Sequence, residues 1–367
     1  MGDVRSYRPE LPDLAREGVE MPRNHREGHT PRVPAYTVRF PEGTNTFVFA
    51  QYACQAPSAE EAARGAASLS QLFTGPFKPD VLDRGSFVDT TGSHNVVWLA
   101  YWHDPVAYSS WQESDAVRSA WDGLPDEGRI GHWRETCVIP LERNETLHSH
   151  RHEDIATSGL SQHAAVTMPE TPVHDYWGAA RDRIAASATE TLEPELAVFR
   201  PSARAEAGNS SRRVTVEVPD NVTLIRTAQD WSASTVYREK YLADVKPVKD
   251  RGVDFLAQNA DSGCIAARNI IEETSDGTPL ARACTIAWFA SLDHLMTWCR
   301  SHRTHLEIYA SFYQMASGGE GPLDVAFWHE VSVLPSGSVT AEYVNCHAST
   351  GFLPLPEHRH RAVASNV

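Results

Sequence analysis

The chain has 367 residues, 41% of them apolar, which is enough for a large buried core and about two domains. Its 48 acidic and 33 basic residues give a net charge of -15, which argues against nucleic acid as a partner because phosphate binding calls for a basic face. No apolar run approaches the ~20 residues that cross a bilayer, so no membrane partner is expected, and six cysteines without a Cys-x-x-Cys pair predict a reducing, cytoplasmic compartment.

The first elements follow an N-terminal stretch rich in charge and proline, residues 1–32, which predicts an extended arm. TFVFAQYACQ at residues 46–55 predicts a strand followed by a helix. AYWHDPVAYSSW at residues 100–111 predicts a strand that leads into a helix, because an Asp-Pro pair is a good helix opener. WRETCVIP at residues 133–140 completes this half with a further strand.

The middle of the chain carries polar groups with two interpretations each. RNETLHSHRHE holds Glu145, followed by His148, His150 and His152 at strand spacing. The three histidines could chelate a metal if they all faced one way, although a solvated loop is the favoured interpretation. The segment that follows is rich in His, Ser, Thr and Pro and predicts a long connection of the kind that often forms a lid or a wall. In it, DYWGAARDRI places Arg183 in what its charges predict to be a surface ion-pair cluster.

The second half repeats the plan of the first. VTLIRTAQDW at residues 222–231, AWFASLDHLMTW at residues 287–298 and WHEVSVLP at residues 328–335 match the strand, strand-helix and strand stretches above. Each half therefore predicts a β-α-β-β-α-β pattern, an antiparallel sheet with helices on one face. Two such halves can close their sheets against each other, so we predict an α+β barrel built from two ferredoxin-like repeats.

A helix is predicted to begin within SHRTHLEIY at residues 301–309, where Thr304 and Glu307 match a capping box. His305 would be the first helical residue, in line with an apolar stripe and therefore aimed inward. Spacing alone favours a core histidine over a metal or heme ligand, and both interpretations stay open. His302 precedes the predicted cap and is expected to be solvated.

A second histidine stands in the strand-like segment DVAFWHEVSV. Strict alternation places His329 on an apolar face, while Trp328 and Glu330 point the other way. A titratable ring on such a face is costly unless it is paired or faces a pocket, and burial favours neutral imidazole, which can act as a base and, once protonated, as an acid. The pattern favours neither interpretation of His329, as a histidine that faces a pocket or as a structural histidine. The matching residue in the first half is Arg134, so the repeat itself does not require a histidine.

Six stretches together resemble a known family. In chain order they are ERNETL, YWGAARDR, LIRTAQDW, SHRTHLEIY, FWHEVSV and AEYVNCH, and they resemble the heme-containing aldoxime dehydratases, including the phenylacetaldoxime dehydratases. The similarity runs from about residue 33 to residue 353. It implies a dimeric α+β barrel related to chlorite dismutases and dye-decolourising peroxidases, with b-type heme. The implied reaction eliminates water from an aldoxime, R-CH=N-OH, to give a nitrile, with the oxime nitrogen bound to ferrous iron.

The resemblance also implies roles for individual residues. It makes His305 the proximal iron ligand, His329 the distal acid and base, Arg183 a neighbour of the substrate and Glu145 a support for the distal group. Thr227 stands where many relatives have a serine that bonds the substrate oxygen, and it keeps the hydroxyl while adding a methyl group. Two other functions remain on the same barrel: a heme peroxidase or dismutase-like enzyme, and a heme-binding protein without turnover.

The resulting expectation is a cytoplasmic homodimer with heme b, a small aldoxime substrate and five segments in each chain. The segments are an extended N-terminal arm (1–32), a first ferredoxin-like repeat (33–147), a connecting insertion with distal-side residues (148–195), a second ferredoxin-like repeat that carries the heme ligand (196–353) and a C-terminal tail (354–367).

Overall fold

The computed structural model describes residues 28–154, 158–163, 165–201, 213–318 and 321–362, so the predicted arm lies almost wholly outside the described residues. One curled, antiparallel sheet of twelve strands organises them. The strands are β1 (Thr46–Ala56), β2 (Val81–Val88), β3 (His94–Trp102), β4 (Gly131–Pro140), β5 (Asn144–His148), β6 (Arg213–Val216), β7 (Val222–Asp230), β8 (Cys264–Glu273), β9 (Pro279–Phe289), β10 (Ala326–Leu334), β11 (Val339–Val344) and β12 (His360–Ala362).

The strand order is β12-β6-β11-β4-β1-β3-β2-β8-β9-β7-β10-β5. Within it, β4-β1-β3-β2 and β10-β7-β9-β8 follow the same pattern. In each set of four strands, the fourth strand lies beside the first, the first beside the third, and the third beside the second. The two sets meet where β2 pairs with β8, with Gly85 opposite Glu272. The short β5 crosses to the other set and pairs with β10. This crossing brings Glu145 beside the strand that carries His329.

The helices lie on one side of each set of strands. They are α1 (Ala59–Ser70), α2 (Pro105–Gln112), α3 (Asp115–Asp122), α4 (Ala179–Arg183), α5 (Arg238–Lys240), α6 (Lys246–Gln258), α7 (Leu292–Ser301) and α8 (Arg303–Ser317), with a π-helical turn, Tyr241–Val245, joining α5 to α6. The predicted opener of α2 is confirmed, because Asp104 caps the helix by accepting a bond from the Val106 amide; Ser291 caps α7 in the same way through the His294 amide. No helix of the described residues is long and apolar enough to cross a bilayer.

The main core fills the concave side of the curled sheet and joins the two sets of strands. Phe49 and Tyr101 from the first set share it with Leu224, Trp288 and Trp328 from the second. Separate apolar clusters lie under the helices, one beneath α1 to α3 and one beneath α6 and α7. Both faces of the central strands are therefore buried, which explains why β1 and β3 are buried almost throughout.

Charged groups cross the core and bind the two sets of strands together. Arg268 donates two hydrogen bonds to the Glu135 carboxylate, from Nη1 at 2.7 Å and from Nη2 at 2.5 Å. Tyr101 donates to Glu330 at 2.6 Å. A buried charge that loses its partner costs about 3–5 kcal/mol, so these pairs fix how one set of strands faces the other.

The connection after β5 enters the same core. Gly159 and Leu160 donate main-chain hydrogen bonds to Asp83 Oδ2 at 3.1 Å and to Glu330 Oε1 at 2.8 Å. Gly159 has a φ of +73°, and a Cβ there would lie 2.6 Å from Glu330 Oε1 and 2.8 Å from Trp328. Only glycine fits this backbone position.

Candidate active site

Three charged side chains from three elements meet on the helix-facing side of the second set of strands. Glu145 is on β5, His329 on β10 and Arg183 at the end of α4 in the connection. Arg183 Nε donates to Glu145 Oε2 at 2.7 Å, and Arg183 Nη1 donates to the Val173 carbonyl at 2.7 Å. His329 Nε2 lies 2.9 Å from Glu145 Oε1 and 3.2 Å from Arg183 Nη2. We call Glu145, Arg183 and His329 the distal cluster.

The distal cluster can hold His329 in either protonation state. A protonated Nε2 donates to the Glu145 carboxylate, whereas a bare Nε2 accepts from the Arg183 guanidinium, which is always a donor. The ring keeps a polar partner on this side in both states. That is the property expected of a group that gives up a proton and later takes one back.

Burial and charge distinguish the members of the distal cluster. The Glu145 side chain has no exposed surface and that of Arg183 is 4% exposed, while His329 retains 27% exposure. Burial by itself raises the pKa of the Glu145 carboxyl, but the charges of Arg183 and His329 and their hydrogen bonds outweigh it and lower the pKa from 4.5 to about 2. Glu145 is therefore ionised at neutral pH, and His329 is the member that reaches accessible space.

Thr227 lies next to His329 across the β7–β10 ladder, where the two residues are directly opposite. Its hydroxyl donates to the Trp328 carbonyl at 3.2 Å. The lone pairs of the hydroxyl oxygen remain available for a further donor, and rotation of the O–H bond would redirect its own proton. A hydroxyl and an imidazole therefore stand side by side on one face of the sheet.

His305 lies on α8, packed against aromatic rings. Its ring centre is 4.7 Å from that of Trp298 and 6.3 Å from that of Trp177, both in edge-to-face geometry. Burial lowers the pKa of His305 from 6.5 to about 4, with a smaller opposing effect of the Cys299 main chain, so the ring is neutral at pH 7. Its Nδ1 is buried without a hydrogen-bond partner among the described residues, and a neutral imidazole of this kind is a ready metal ligand.

The sheet face that carries Thr227 and His329 is only partly covered by the described side chains. At its C-terminal end α8 touches the sheet through Phe312, whose ring centre is 5.0 Å from that of Phe327. Elsewhere the sheet face is only partly buried at Ile225, Thr227 and His329, whereas the equivalent face of β1 and β3 in the first set is fully covered by α1 to α3. A half-buried apolar face on the sheet, together with the neutral imidazole of His305 on α8, fits a flat apolar cofactor held by a histidine.

The comparisons with known proteins agree with a heme site. Residues 48–352 match the family described as haem-containing dehydratases. Phenylacetaldoxime dehydratase of Bacillus sp. (strain OxB-1) is 37% identical over 339 residues, covering 91% of this chain and 95% of that protein. Aliphatic aldoxime dehydratase of Pseudomonas chlororaphis is 32% identical over 338 residues, covering 89% and 92% respectively.

Two solved structures match as well. A crystal structure of an aldoxime dehydratase gives a TM-score of 0.81 at 29% identity and covers 92% of this chain and 97% of its own. An aldoxime dehydratase in complex with butyraldoxime gives 0.80 at 28% identity, with coverages of 92% and 94%. The chain belongs to the haem-containing dehydratase family, and its cofactor is heme.

Several local expectations from the sequence are wrong. The helix α8 begins at Arg303 and not after Thr304, because His302 caps it through a bond from the Thr304 amide to His302 Nδ1. His302 is half-buried and not fully solvated, since its ring stacks on that of Phe255 with the ring centres 4.2 Å apart. Arg183 belongs to a buried cluster and not to a surface one, because Glu145, a residue remote in sequence, supplies its countercharge.

The three histidines after Glu145 do not form a metal site in the described residues. His148 is buried and stacks on Trp328 at 5.7 Å, while His150 bonds Ser149 and the Leu323 carbonyl. The expectation of a solvated loop is wrong for His148, which belongs to β5, whereas His150 and His152 lie in the half-exposed loop that follows it. The hydrogen bond from Arg183 to the Val173 carbonyl could not be predicted from the sequence, because any residue can supply a main-chain acceptor.

Proposed function

We propose that this enzyme dehydrates aldoximes to nitriles with heme b, which His305 would hold as an iron ligand, and that His329 acts as the acid and base. The observation that carries the proposal is the distal cluster, a buried Glu145–Arg183 pair that holds His329 at an open, half-apolar face. The family and the aldoximes handled by its relatives support the same substrate class. Phenylacetaldoxime and butyraldoxime are the first two substrates to compare.

We also propose the larger organisation that the sequence predicts. The matching strand orders, β4-β1-β3-β2 and β10-β7-β9-β8, support two ferredoxin-like repeats in a barrel, with the boundaries at residues 33–147 and 196–353. The connecting insertion, residues 148–195, supplies Arg183 to the distal cluster. A cytoplasmic homodimer is proposed by analogy with the family fold.

Different groups perform different steps of the proposed reaction. Heme held by His305 would supply a ferrous iron as the source of electron density for N–O cleavage. His329, protonated when substrate arrives, donates a ring proton to the departing hydroxyl oxygen, which leaves as water. The neutral ring, now held by Arg183, accepts the proton released from the adjacent carbon, and the nitrile forms.

Two other groups orient the reacting oxygen. Thr227 lies beside His329 and can bond the oxime hydroxyl, while Arg183 places a cation next to the oxygen on which charge develops. Oriented donors of this kind contribute about 3–4 kcal/mol each in favourable cases. Glu145 acts through the other two, because it fixes the position of both Arg183 and His329.

The test is nitrile formation per ferrous heme, under anaerobic reducing conditions, for the parent and for His329→Asn. We expect unchanged heme content and unchanged binding of the aldoxime, with dehydration slower by about 10² to 10⁴, the usual contribution of a positioned acid-base group. His358→Asn, at an exposed histidine outside the site, is the matched control and should behave like the parent.

Three outcomes count against the proposal. A His329→Asn rate within a few-fold of the parent removes His329 as the acid. Peroxide consumption by the ferric parent without nitrile formation after reduction would instead indicate a peroxidase. Absence of any turnover despite stable heme binding would indicate a heme-binding protein without this chemistry.

A further inference from the structure

A second cluster of metal-ligand types lies away from the distal cluster, at one end of the first set of strands. Asp80 directly precedes β2, His103 directly follows β3, and His163 follows a short 3₁₀ helix, Gly159–Gln162, in the connection. One ligand atom of each residue lies within 4.8 Å of the other two. Specifically, Asp80 Oδ2 is 3.7 Å from His163 Nε2 and 3.9 Å from His103 Nδ1.

His163 is the unusual member of this cluster. Its side chain is 7% exposed, and its Nε2 is buried without a hydrogen-bond partner among the described residues. A buried polar atom left in this state costs about 1–3 kcal/mol, so such atoms are rare unless another group binds them. Nε2 is aimed at the Asp80 carboxylate, at a distance too long for a hydrogen bond and long enough to admit an ion.

The backbone holds the three residues in place. The Asp80 amide donates to the Tyr101 carbonyl, and the His103 amide donates to Asp80 Oδ2 at 2.8 Å, which fixes the two strand ends together. His163 is held by the turn whose Gly159 amide is bonded to the core. The two imidazole rings are in edge-to-face contact, with centres 4.4 Å apart. The cluster is therefore assembled by the fold and not by chance contacts of long surface side chains.

We propose that Asp80, His103 and His163 form a binding site for a divalent transition-metal ion, with zinc as the favoured ion. Two imidazole nitrogens and one carboxylate oxygen are a common zinc ligand set, and the fourth position of a tetrahedral zinc would be taken by water. The side with room for that water is the one where Asp80 and His103 are 42% and 34% exposed.

Binding requires modest rearrangement. Zinc bonds of about 2.0–2.2 Å bring neighbouring ligand atoms closer together than the distances above. Asp80 and His103 can move because they are partly exposed, whereas His163 stays in place. The His163 Nδ1 atom now accepts a bond from the Ala165 amide at 3.1 Å. Coordination through Nε2 places the ring proton on Nδ1, so this bond opens, at a cost of about 1 kcal/mol.

The bound ion would tie the connecting insertion to the first set of strands. The same insertion carries Arg183 further along, although the metal cluster takes no part in the chemistry proposed above. Zinc that binds only the folded state raises stability by mass action. The expected consequence is therefore a structural metal that stabilises the protein, independent of heme and of the aldoxime reaction.

The experiment uses the untagged, heme-loaded enzyme, incubated with a stoichiometric amount of zinc chloride and dialysed against zinc-free buffer. We expect one zinc per chain by elemental analysis, in addition to the heme iron, and a higher melting temperature than before zinc was added. His103→Ala and Asp80→Asn should lose both the zinc and the shift, with heme content unchanged. Both residues are partly exposed, so these variants should fold even if His163→Ala does not.

The control is His358→Ala, which removes an exposed histidine elsewhere and should keep the zinc. Equal zinc content in the parent, His103→Ala and Asp80→Asn would overturn the proposal, because the ion would then lie at another site. A parent that retains no zinc after dialysis and shows no shift would also overturn it. Loss of zinc in His103→Ala and Asp80→Asn, with zinc retained in the parent and in His358→Ala, supports the proposal.

Discussion

The Glu145 carboxylate offers a quantitative test of the distal cluster through the substitution Glu145→Gln. The change keeps the shape of the side chain and removes its charge, which leaves the buried Arg183 guanidinium without its countercharge. The pKa of Glu145 in the folded protein is about 2 against an ordinary value of 4.5, a difference that corresponds to roughly 3 kcal/mol of folding free energy. Removal of one partner from a buried ion pair costs about 3–5 kcal/mol, which agrees.

The sign of the pH dependence follows from the lowered pKa. The contribution of Glu145 is fully present above pH 4.5, where the carboxyl of the unfolded chain is also ionised, and it is lost as the pH falls toward 2. The parent should therefore exceed Glu145→Gln in unfolding free energy by about 3 kcal/mol at pH 7. Below pH 4.5 this gap should narrow by about 1.4 kcal/mol for each pH unit.

The assay is urea unfolding of the heme-loaded proteins, followed by circular dichroism, at pH 7 and at two values below 4.5. Glu342→Gln is the matched control, because Glu342 is also buried and accepts from two arginines, Arg134 and Arg213, but lies far from His329 in the sheet order. Both variants should be less stable than the parent. A gap that stays constant between pH 7 and pH 3 for Glu145→Gln would refute the reasoning.

The pH dependence of turnover also distinguishes Glu145→Gln from Glu342→Gln. Without the Glu145 charge, the remaining charged neighbour of His329 Nε2 is Arg183, whose positive charge disfavours protonation of the ring. The limb of the activity profile that requires a protonated acid should move to lower pH in Glu145→Gln and stay in place in Glu342→Gln. An unmoved profile in both would place Glu145 outside the proton-transfer machinery.

Two further predictions concern the cofactor and the substrate oxygen. His305→Ala should lose stable heme binding while circular dichroism shows a retained fold, whereas His302→Ala, at the capping residue of α8, should keep the heme; an unchanged ferrous spectrum in His305→Ala would move the ligand elsewhere. Thr227→Ser should be tolerated, while Thr227→Ala should lower kcat by roughly 10- to 100-fold with little change in KM, the effect of one hydrogen bond that matters in the transition state. Equal kcat in all three Thr227 proteins would exclude the hydroxyl from the reaction.

Local patterns in the sequence predict the strands and the direction of their side chains well. Alternation in DVAFWHEVSV correctly separates His329 from Trp328 and Glu330, because Trp328 and Glu330 are buried in the core and a shift by one residue would exchange the two faces. The helix that carries His305 is also predicted, but its start is missed. A histidine cap, with Nδ1 as the acceptor, competes with the Thr304–Glu307 pattern, and the tertiary contact of His302 with Phe255 favours the histidine.

The assembly of the distal cluster is beyond such patterns. Glu145 and Arg183 are 38 residues apart and His329 lies another 146 residues on, so only the crossing of β5 to β10 brings them together. Charge spacing alone predicted a surface cluster for Arg183. The metal-ligand cluster was missed for the same reason, since Asp80, His103 and His163 have no common local motif and meet only because β2, β3 and the connection end at one place.

Comparison of the two sets of strands indicates why only one of them holds the distal cluster. Trp133 and Glu135 on β4 face the core as Trp328 and Glu330 do on β10, so Arg134 and His329 both point toward the helices. Above Arg134 the space is closed: its guanidinium lies 4.5 Å from the Trp121 ring of α3 and bonds Glu342 at 2.6 Å.

Above His329 the helices leave the face half covered, and a crossing strand and a long connection supply a carboxylate and a guanidinium in place of a closed apolar layer. The alternation along the strand therefore determines only which side chain points toward the helices. What covers that residue determines its use. Where α3 and Glu342 seal the face, the charged group serves packing; where the helices leave the face half covered, the equivalent residue, His329, stays 27% exposed and can take the proposed acid-base role.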